Sequence, residues 1–149
     1  MFKFLQYLVS LNTALLGKVR SAQLYDEALS FYTAKDYRSA FPLMKEAAEL
    51  GSLPAMSILG SMYLLGRGVQ ENGNQALRWL KQAVDGGFEG AISVLGMAYA
   101  TGSAGIPIDL PLARQMLTQA AQKGDQQSVR MLEMMDKGEG MFKNLRGAR

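Results

Sequence analysis

Lys3, Gln6, Ser10, Thr13, Gly17 and Arg20 recur at alternating three- and four-residue spacing. That spacing lays them along one stripe of a helix, with Phe4, Leu5, Leu8, Val9, Leu15 and Leu16 facing elsewhere. The chain therefore opens on an amphipathic helix over residues 1–20. A secretion signal has no reason to keep a polar stripe, and Lys18 and Arg20 intrude where a small-x-small cleavage site would stand. The segment is also too short and too polar to span a bilayer. The expectation is a helix docked as a cap on the first helical unit, with a helix lying on a membrane surface as the alternative.

Beyond it the reading is all helix. Helices are predicted over 22–35 and 36–50, with Asp36 as N-cap and Gly51 as the stop. Pro42 falls inside the second and should distort it locally. Pro54 opens the next helix, which ends at Gly66. After the loop at 66–73, capped by Asn72 or Asn74, a helix runs to Gly86 and Gly87. Residues 89–101 and 110–123 form a further pair, with Asp109 as N-cap. Asp125 begins a last helix reaching about Asp136. Residues 137–149 have no periodicity and are expected to be irregular.

Within this run one motif is written twice. Ala55 and Ala91, Gly60 and Gly96, Tyr63 and Tyr99, and Gly66 and Gly102 are each 36 residues apart. Ala76 and Ala113, Ala83 and Ala120, and Gly87 and Gly124 are each 37 apart. A fixed period in this range marks stacked helical units. Gly60 and Gly96 sit mid-helix, where glycine costs about 1 kcal/mol relative to alanine; their recurrence predicts a close helix–helix approach. Trp79 and the two tyrosines are the large packing partners. The preceding unit differs: its first-helix and second-helix alanines, Ala28 and Ala40, are 12 apart, against 16 and 17 in the two later units.

The pattern Ala55, Leu59, Gly60, Tyr63, Gly66, Gly68, Val69, then Ala76, Trp79, Ala83, Gly87, resembles the Sel-one-like repeat (SLR), a relative of the tetratricopeptide repeat (TPR). The second copy keeps Ala91, Leu95, Gly96, Tyr99, Gly102, Ala113, Ala120 and Gly124. It departs at Gly105-Ile106-Pro107 and carries Met116 where the first has Trp79. Residues 22–53 fit a plain TPR-like unit, 54–90 and 91–124 two SLR units, and 125–136 a C-terminal capping helix. Glu133 and Asp136 replace the motif Gly and Tyr there, as a cap requires. The resemblance implies an all-α, single-domain α-solenoid of antiparallel helix pairs, a right-handed superhelix whose concave surface binds other proteins. Many bacterial members of the family are adaptors or regulators, and a subset looks like immunity proteins.

Composition narrows the chemistry. The chain has neither Cys nor His, which removes thiolate and imidazole catalysis and the usual zinc sites. No phosphate-loop, nucleophile-elbow or calcium-loop motif is present; Gly66-Arg67-Gly68 follows a helix and reads as a turn. The expectation is a protein that is not an enzyme and uses no cofactor or metal. Residues 1–20 carry Lys3, Lys18 and Arg20 and no acid; 137–149 carry Lys137, Lys143, Arg146 and Arg149 against Glu139. Nine basic and twelve acidic residues lie between. A mildly acidic repeat surface argues against a nucleic-acid groove along it. The basic tail reads as a solvated terminus.

Candidate partner-binding residues are those on first-position helices that the motif leaves free: Ser57, Ser61, Ser93, Met97, Gln127, Arg130 and Met134. Met56, Met62, Met131 and Met135 share these helices; methionine adapts to contact surfaces but also fills core gaps. Tyr25 and Tyr32 join the set from the aromatic-rich first unit. The expected function is non-enzymatic binding of a protein partner on the concave face. The specific version is an immunity or inhibitor protein that neutralises a bacterial secreted toxin; the alternative is a general adaptor binding peptide segments of several partners. No nucleic acid or integral membrane association is expected. The expected compartment is cytoplasmic, with periplasmic or membrane-surface as alternatives.

Overall fold

The computed structural model describes the backbone of residues 1–147 and the side chains of residues 1–138. Among the described residues seven helices follow one another: α1 Phe2–Thr33, α2 Tyr37–Glu49, α3 Leu53–Leu65, α4 Gly73–Asp85, α5 Gly90–Thr101, α6 Leu110–Gln122 and α7 Gln126–Gly147. A single 3-10 turn at Ser103–Gly105 interrupts the loop after α5. No strand occurs among the described residues. α1 packs on α2, α3 on α4 and α5 on α6; α3 also meets α5, and α5 meets α7. The architecture is an α-solenoid of antiparallel helix pairs with α7 covering the last pair.

Side-chain caps fix where helices begin. Asp36 accepts from the Ser39 amide at 3.2 Å, Ser52 from Ala55 at 3.3 Å, Asn72 from Gln75 at 3.0 Å, Asp109 from Leu112 at 3.0 Å and Asp125 from Ser128 at 2.7 Å. Each satisfies one of the amides a helix leaves unpaired. The turns between units are three copies of one structure. Gly51, Gly87 and Gly124 have φ of 93°, 95° and 93°. The amide after each glycine donates back to Ala47, Ala83 or Ala120, at 3.0, 2.8 and 3.1 Å. The glycine amides themselves donate to Ala48, Val84 and Ala121. This double bond is a Schellman turn, which needs a left-handed residue and so favours glycine.

The mid-helix glycines do mark close approach. A Cβ on Gly60 would lie 2.5 Å from Leu80 Cγ, and one on Gly96 2.8 Å from Leu117 Cγ. Leu80 and Leu117 are fully buried. They are the knobs that seat on the two glycines, beside the large partners Trp79, Tyr63 and Tyr99 that the sequence pattern predicts. Ala28, Ala40, Ala47, Ala55, Met44, Leu59 and Met62 fill the first core with Trp79. Ala76, Ala83, Ala91, Leu80 and Leu95 lead the second. Met62 therefore belongs to the core.

Three expectations change. No break separates residues 1–20 from 22–35: the helix is continuous from Phe2 to Thr33. Its first half is also undocked, since residues 1–16 are all exposed. The polar stripe explains both, because Lys3, Gln6, Ser10, Thr13 and Gly17 are in helical phase with Ser21, Leu24 and Ala28, which pack on α2. Past Ser21 this face is buried; before it, no α2 residue is there to meet it. The last helix does not stop near Asp136 but continues to Gly147, so most of the tail expected to be irregular is helical. Residues 148 and 149, and the side chains of Lys143, Arg146 and Arg149, lie outside the described residues and side chains. Pro42 stands exposed in α2, and the helix continues through it.

Candidate functional site

The odd-numbered helices line one face of the stack, and a cleft of about 500 Å³ opens along it. Ser61, Leu64 and Leu65 enter from α3, and Val94, Met97, Ala98 and Thr101 from α5. Three- and four-residue spacing puts each set on one face of its helix. Gln127 and Met131 of α7 close one side; Tyr32 of α1 and Arg67 of the α3–α4 loop close the other. Ser61 and Met97, like Leu65 and Thr101, are 36 residues apart, so the cleft is built at equivalent positions of successive units.

The hydroxyls in this cleft are tied to their own helices. Ser61 Oγ donates to the Ser57 carbonyl at 3.1 Å, and Thr101 Oγ1 to the Met97 carbonyl at 2.9 Å. Thr101 Oγ1 also lies 2.7 Å from Ser103 Oγ. Back-bonding of this kind leaves lone pairs but few free donors facing the cleft.

Arg67 supplies the donors. Its Nη1 donates to the Tyr32 hydroxyl at 2.7 Å. The guanidinium lies 5.1 Å from the Tyr37 ring centroid and 5.9 Å from that of Tyr32. The two rings meet edge to face at 5.2 Å. Two aromatic faces thus hold a half-buried cation by its attraction to their π-electrons. Among the described residues the carboxylates of the ion pairs serve other cations: Glu46 with Arg20, Glu49 with Lys45, Asp136 with Arg114, and Glu89 with Lys123. A guanidinium has five N–H donors, and Arg67 spends one on Tyr32.

Of the candidate residues read from sequence, the structure brings Tyr32, Ser61, Met97 and Gln127 together in this cleft. Tyr25 is half-buried against the first core. Ser57 and Ser93 are corrected: both are buried in their helices, Ser93 donating to the Gly90 carbonyl at 3.1 Å. Small residues there let neighbouring helices approach. Arg130 and Met134 are exposed on α7 but do not line the cleft. The sequence reading missed Arg67, which it took only as a turn residue. The signal available was an arginine between two turn glycines after a unit crowded with tyrosines.

Among the described residues one carboxyl group departs from its ordinary acidity. Hydrogen bonds from the Ser39 side chain and backbone hold Asp36 below the usual aspartate range. It is a capping residue outside the cleft. No cluster of His, Cys, Asp or Glu able to hold a metal occurs among the described residues.

A model of the Sel1 repeat matches residues 15–52, 53–88 and 91–125. These boundaries fall at the three Schellman turns, and the first match takes in the short-turn unit. No curated protein matches the chain. Among solved structures it is similar to c5321, a protective antigen present in uropathogenic Escherichia coli strains and displaying an SLR fold. The identity is 27% and the TM-score 0.68, over 77% of this chain and 25% of that one. It is similar to a Sel1 repeat protein from Oxalobacter formigenes at 28% identity and a TM-score of 0.62, over 72% of this chain and 45% of that one. The chain thus spans a quarter of the first and under half of the second. Helicobacter pylori cysteine rich protein B shares the fold at 18% identity and a TM-score of 0.58, over 82% and 94% of the two chains.

Proposed function

The chain belongs to the Sel1 repeat family, and we propose on that premise that it works by binding one protein partner in the cleft between α1, α3, α5 and α7. Sel1 repeats are protein-interaction modules. The observation that carries the reading is Arg67, clamped by Tyr32 and Tyr37 beside an apolar floor of Leu64, Leu65, Val94, Met97 and Ala98. A guanidinium flanked by apolar surface is a strong anchor when a partner covers it.

The specific version is an immunity or inhibitor protein. It would occlude the working surface of a bacterial toxin by shape and need no catalysis of its own. A single tight partner supports this version; several weak peptide-like partners support an adaptor.

The experiment is affinity capture with three forms of the chain, followed by affinity measurement on the recovered partner. Wild type and Lys81→Glu, a change on exposed α4 away from the cleft, should recover the same partner. Arg67→Ala with Met97→Glu should lose it, with affinity reduced by roughly tenfold or more. Co-expression of a toxic partner would then separate the two versions, because only an inhibitor protects the cell. A partner retained equally by all three forms would place binding elsewhere.

A further inference from the structure

The first half of α1 has its apolar side turned away from the rest of the molecule. At 3.6 residues per turn, Phe4, Leu5, Leu8, Leu15, Leu16 and Val19 fall on the side opposite Ser21, Leu24 and Ala28. Those three are the buried residues of α1 that pack on α2. The helical pattern inverts near residue 20. Ala22, Gln23, Asp26, Ser30 and Thr33, all exposed, continue the same side as polar or small surface. No extension of the chain's own stack in phase with α2 would cover the earlier segment. Its apolar residues are from 43% exposed at Leu8 to 76% at Phe2, and Asn12 is the one polar residue within the arc.

The charge on this segment has one sign. Lys18 borders the apolar side, Lys3 stands on the polar face opposite it, Arg20 pairs with Glu46, and the first acid is Asp26. No helix among the described residues is long and apolar enough to cross a membrane. We infer that residues 2–19 of α1 lie in the plane of an anionic lipid surface, with Leu8 and Leu15 central to the buried side, Lys18 at its edge against lipid phosphates and Lys3 adding positive charge from the polar face. A wide apolar arc, a polar opposite face and positive charge are what in-plane binding needs. A second copy is the weaker occupant. A helical pair narrows its seam to two positions in seven and sets opposite charges beside it, whereas this arc, with Val9 and Leu11 at its edges, covers nearly half the helix and the charge of Lys18 beside it is positive.

The test floats the 149-residue chain with vesicles of phosphatidylcholine alone and of phosphatidylcholine and phosphatidylglycerol in equal parts. Wild type should float with the anionic vesicles and stay behind with the neutral ones, and added salt should weaken the binding. Leu8→Glu with Leu15→Glu should abolish flotation. Withdrawing one leucine from an apolar environment is worth roughly tenfold or more in partition. Lys3→Glu with Lys18→Glu should remove the preference for anionic vesicles. The changed residues are exposed, so circular dichroism and the urea midpoint of the repeats should match wild type in both variants. Absence of flotation, equal flotation of the leucine variant, or equal binding to both vesicles overturns the inference. So does a concentration-dependent dimer in sedimentation that the leucine variant dissolves without any lipid binding, because a second copy then covers the helix.

Discussion

Substituting alanine for Gly60 sets two effects of opposite sign against each other. In a helix interior, alanine is favoured over glycine by about 1 kcal/mol. Against this, the new Cβ would stand 2.5 Å from Leu80 Cγ and 3.2 Å from the Ala76 carbonyl oxygen. Carbon atoms in contact rest about 3.5–4.0 Å apart, so α4 or the Leu80 side chain must retreat by about 1 Å. Leu80 is fully buried within the second core and has no solvent to swing into. Overpacking of this kind costs about 1–3 kcal/mol, and the backbone oxygen behind Leu80 puts the site toward the upper part of that range. The net expectation is a loss of about 1–2 kcal/mol, read as a urea midpoint lowered by roughly 0.5 M. Gly17 is the control: it is helical and a Cβ there meets nothing within 4 Å, so Gly17→Ala should raise stability by up to about 1 kcal/mol. Leu80→Ala alone should cost about 2–5 kcal/mol, and less on the Gly60→Ala background, where the extra methyl occupies vacated space. Gly60→Ala as stable as wild type, or additive with Leu80→Ala, would refute a seat of Leu80 on Gly60.

Three further outcomes rest on single residues. Lys35 has φ of 62° in the α1–α2 turn, where a side chain costs about 1 kcal/mol relative to glycine; Lys35→Gly should stabilise the chain by up to that amount in urea unfolding. Ser128 is fully buried with a hydroxyl that finds no partner, and Ala55 and Ala91 stand at its place in the preceding units. Ser128→Ala should therefore raise stability by about 1 kcal/mol, since it removes an unsatisfied polar group, and a loss would point to a hidden bond. For Asp36 the folded pKa lies below its ordinary value, so its contribution is present above the unfolded aspartate range near pH 4 and fades as pH falls through the folded value. The stability gap between wild type and Asp36→Asn should accordingly shrink in acid, as followed by thermal unfolding between neutral pH and pH 2–3.

What the sequence made legible was whatever repeats. Turn glycines, capping residues and small core positions recur at fixed intervals because stacking imposes the same constraint on each unit. Leu80 and Leu117 recur at the same interval and were available to the same reasoning, but leucine is too common in helices to draw attention without seeing what it touches. The continuity of α1 was hidden by an inversion of pattern: the two halves of one helix carry their apolar residues on opposite sides, so they read as two helices. Arg67 was hidden differently. Its partners Tyr32 and Tyr37 belong to the preceding unit, and no periodicity relates an arginine in one loop to two tyrosines 30 or more residues earlier. Contacts that make a cleft particular are by nature the ones that do not repeat.

The three Schellman turns at Gly51, Gly87 and Gly124 make the chain divisible. Because each junction has the same hydrogen bonds and the same glycine torsion, the stretch between two of them is a cassette with matching ends. Residues 53–88 placed in tandem would present the next cassette with the junction it already accepts. The cleft would lengthen by one step of the array while the Arg67 clamp, set by the first junction, stayed at its original end. The reach of such a surface is then a matter of gene duplication, and the clamp a matter of point substitution. The two properties can change independently.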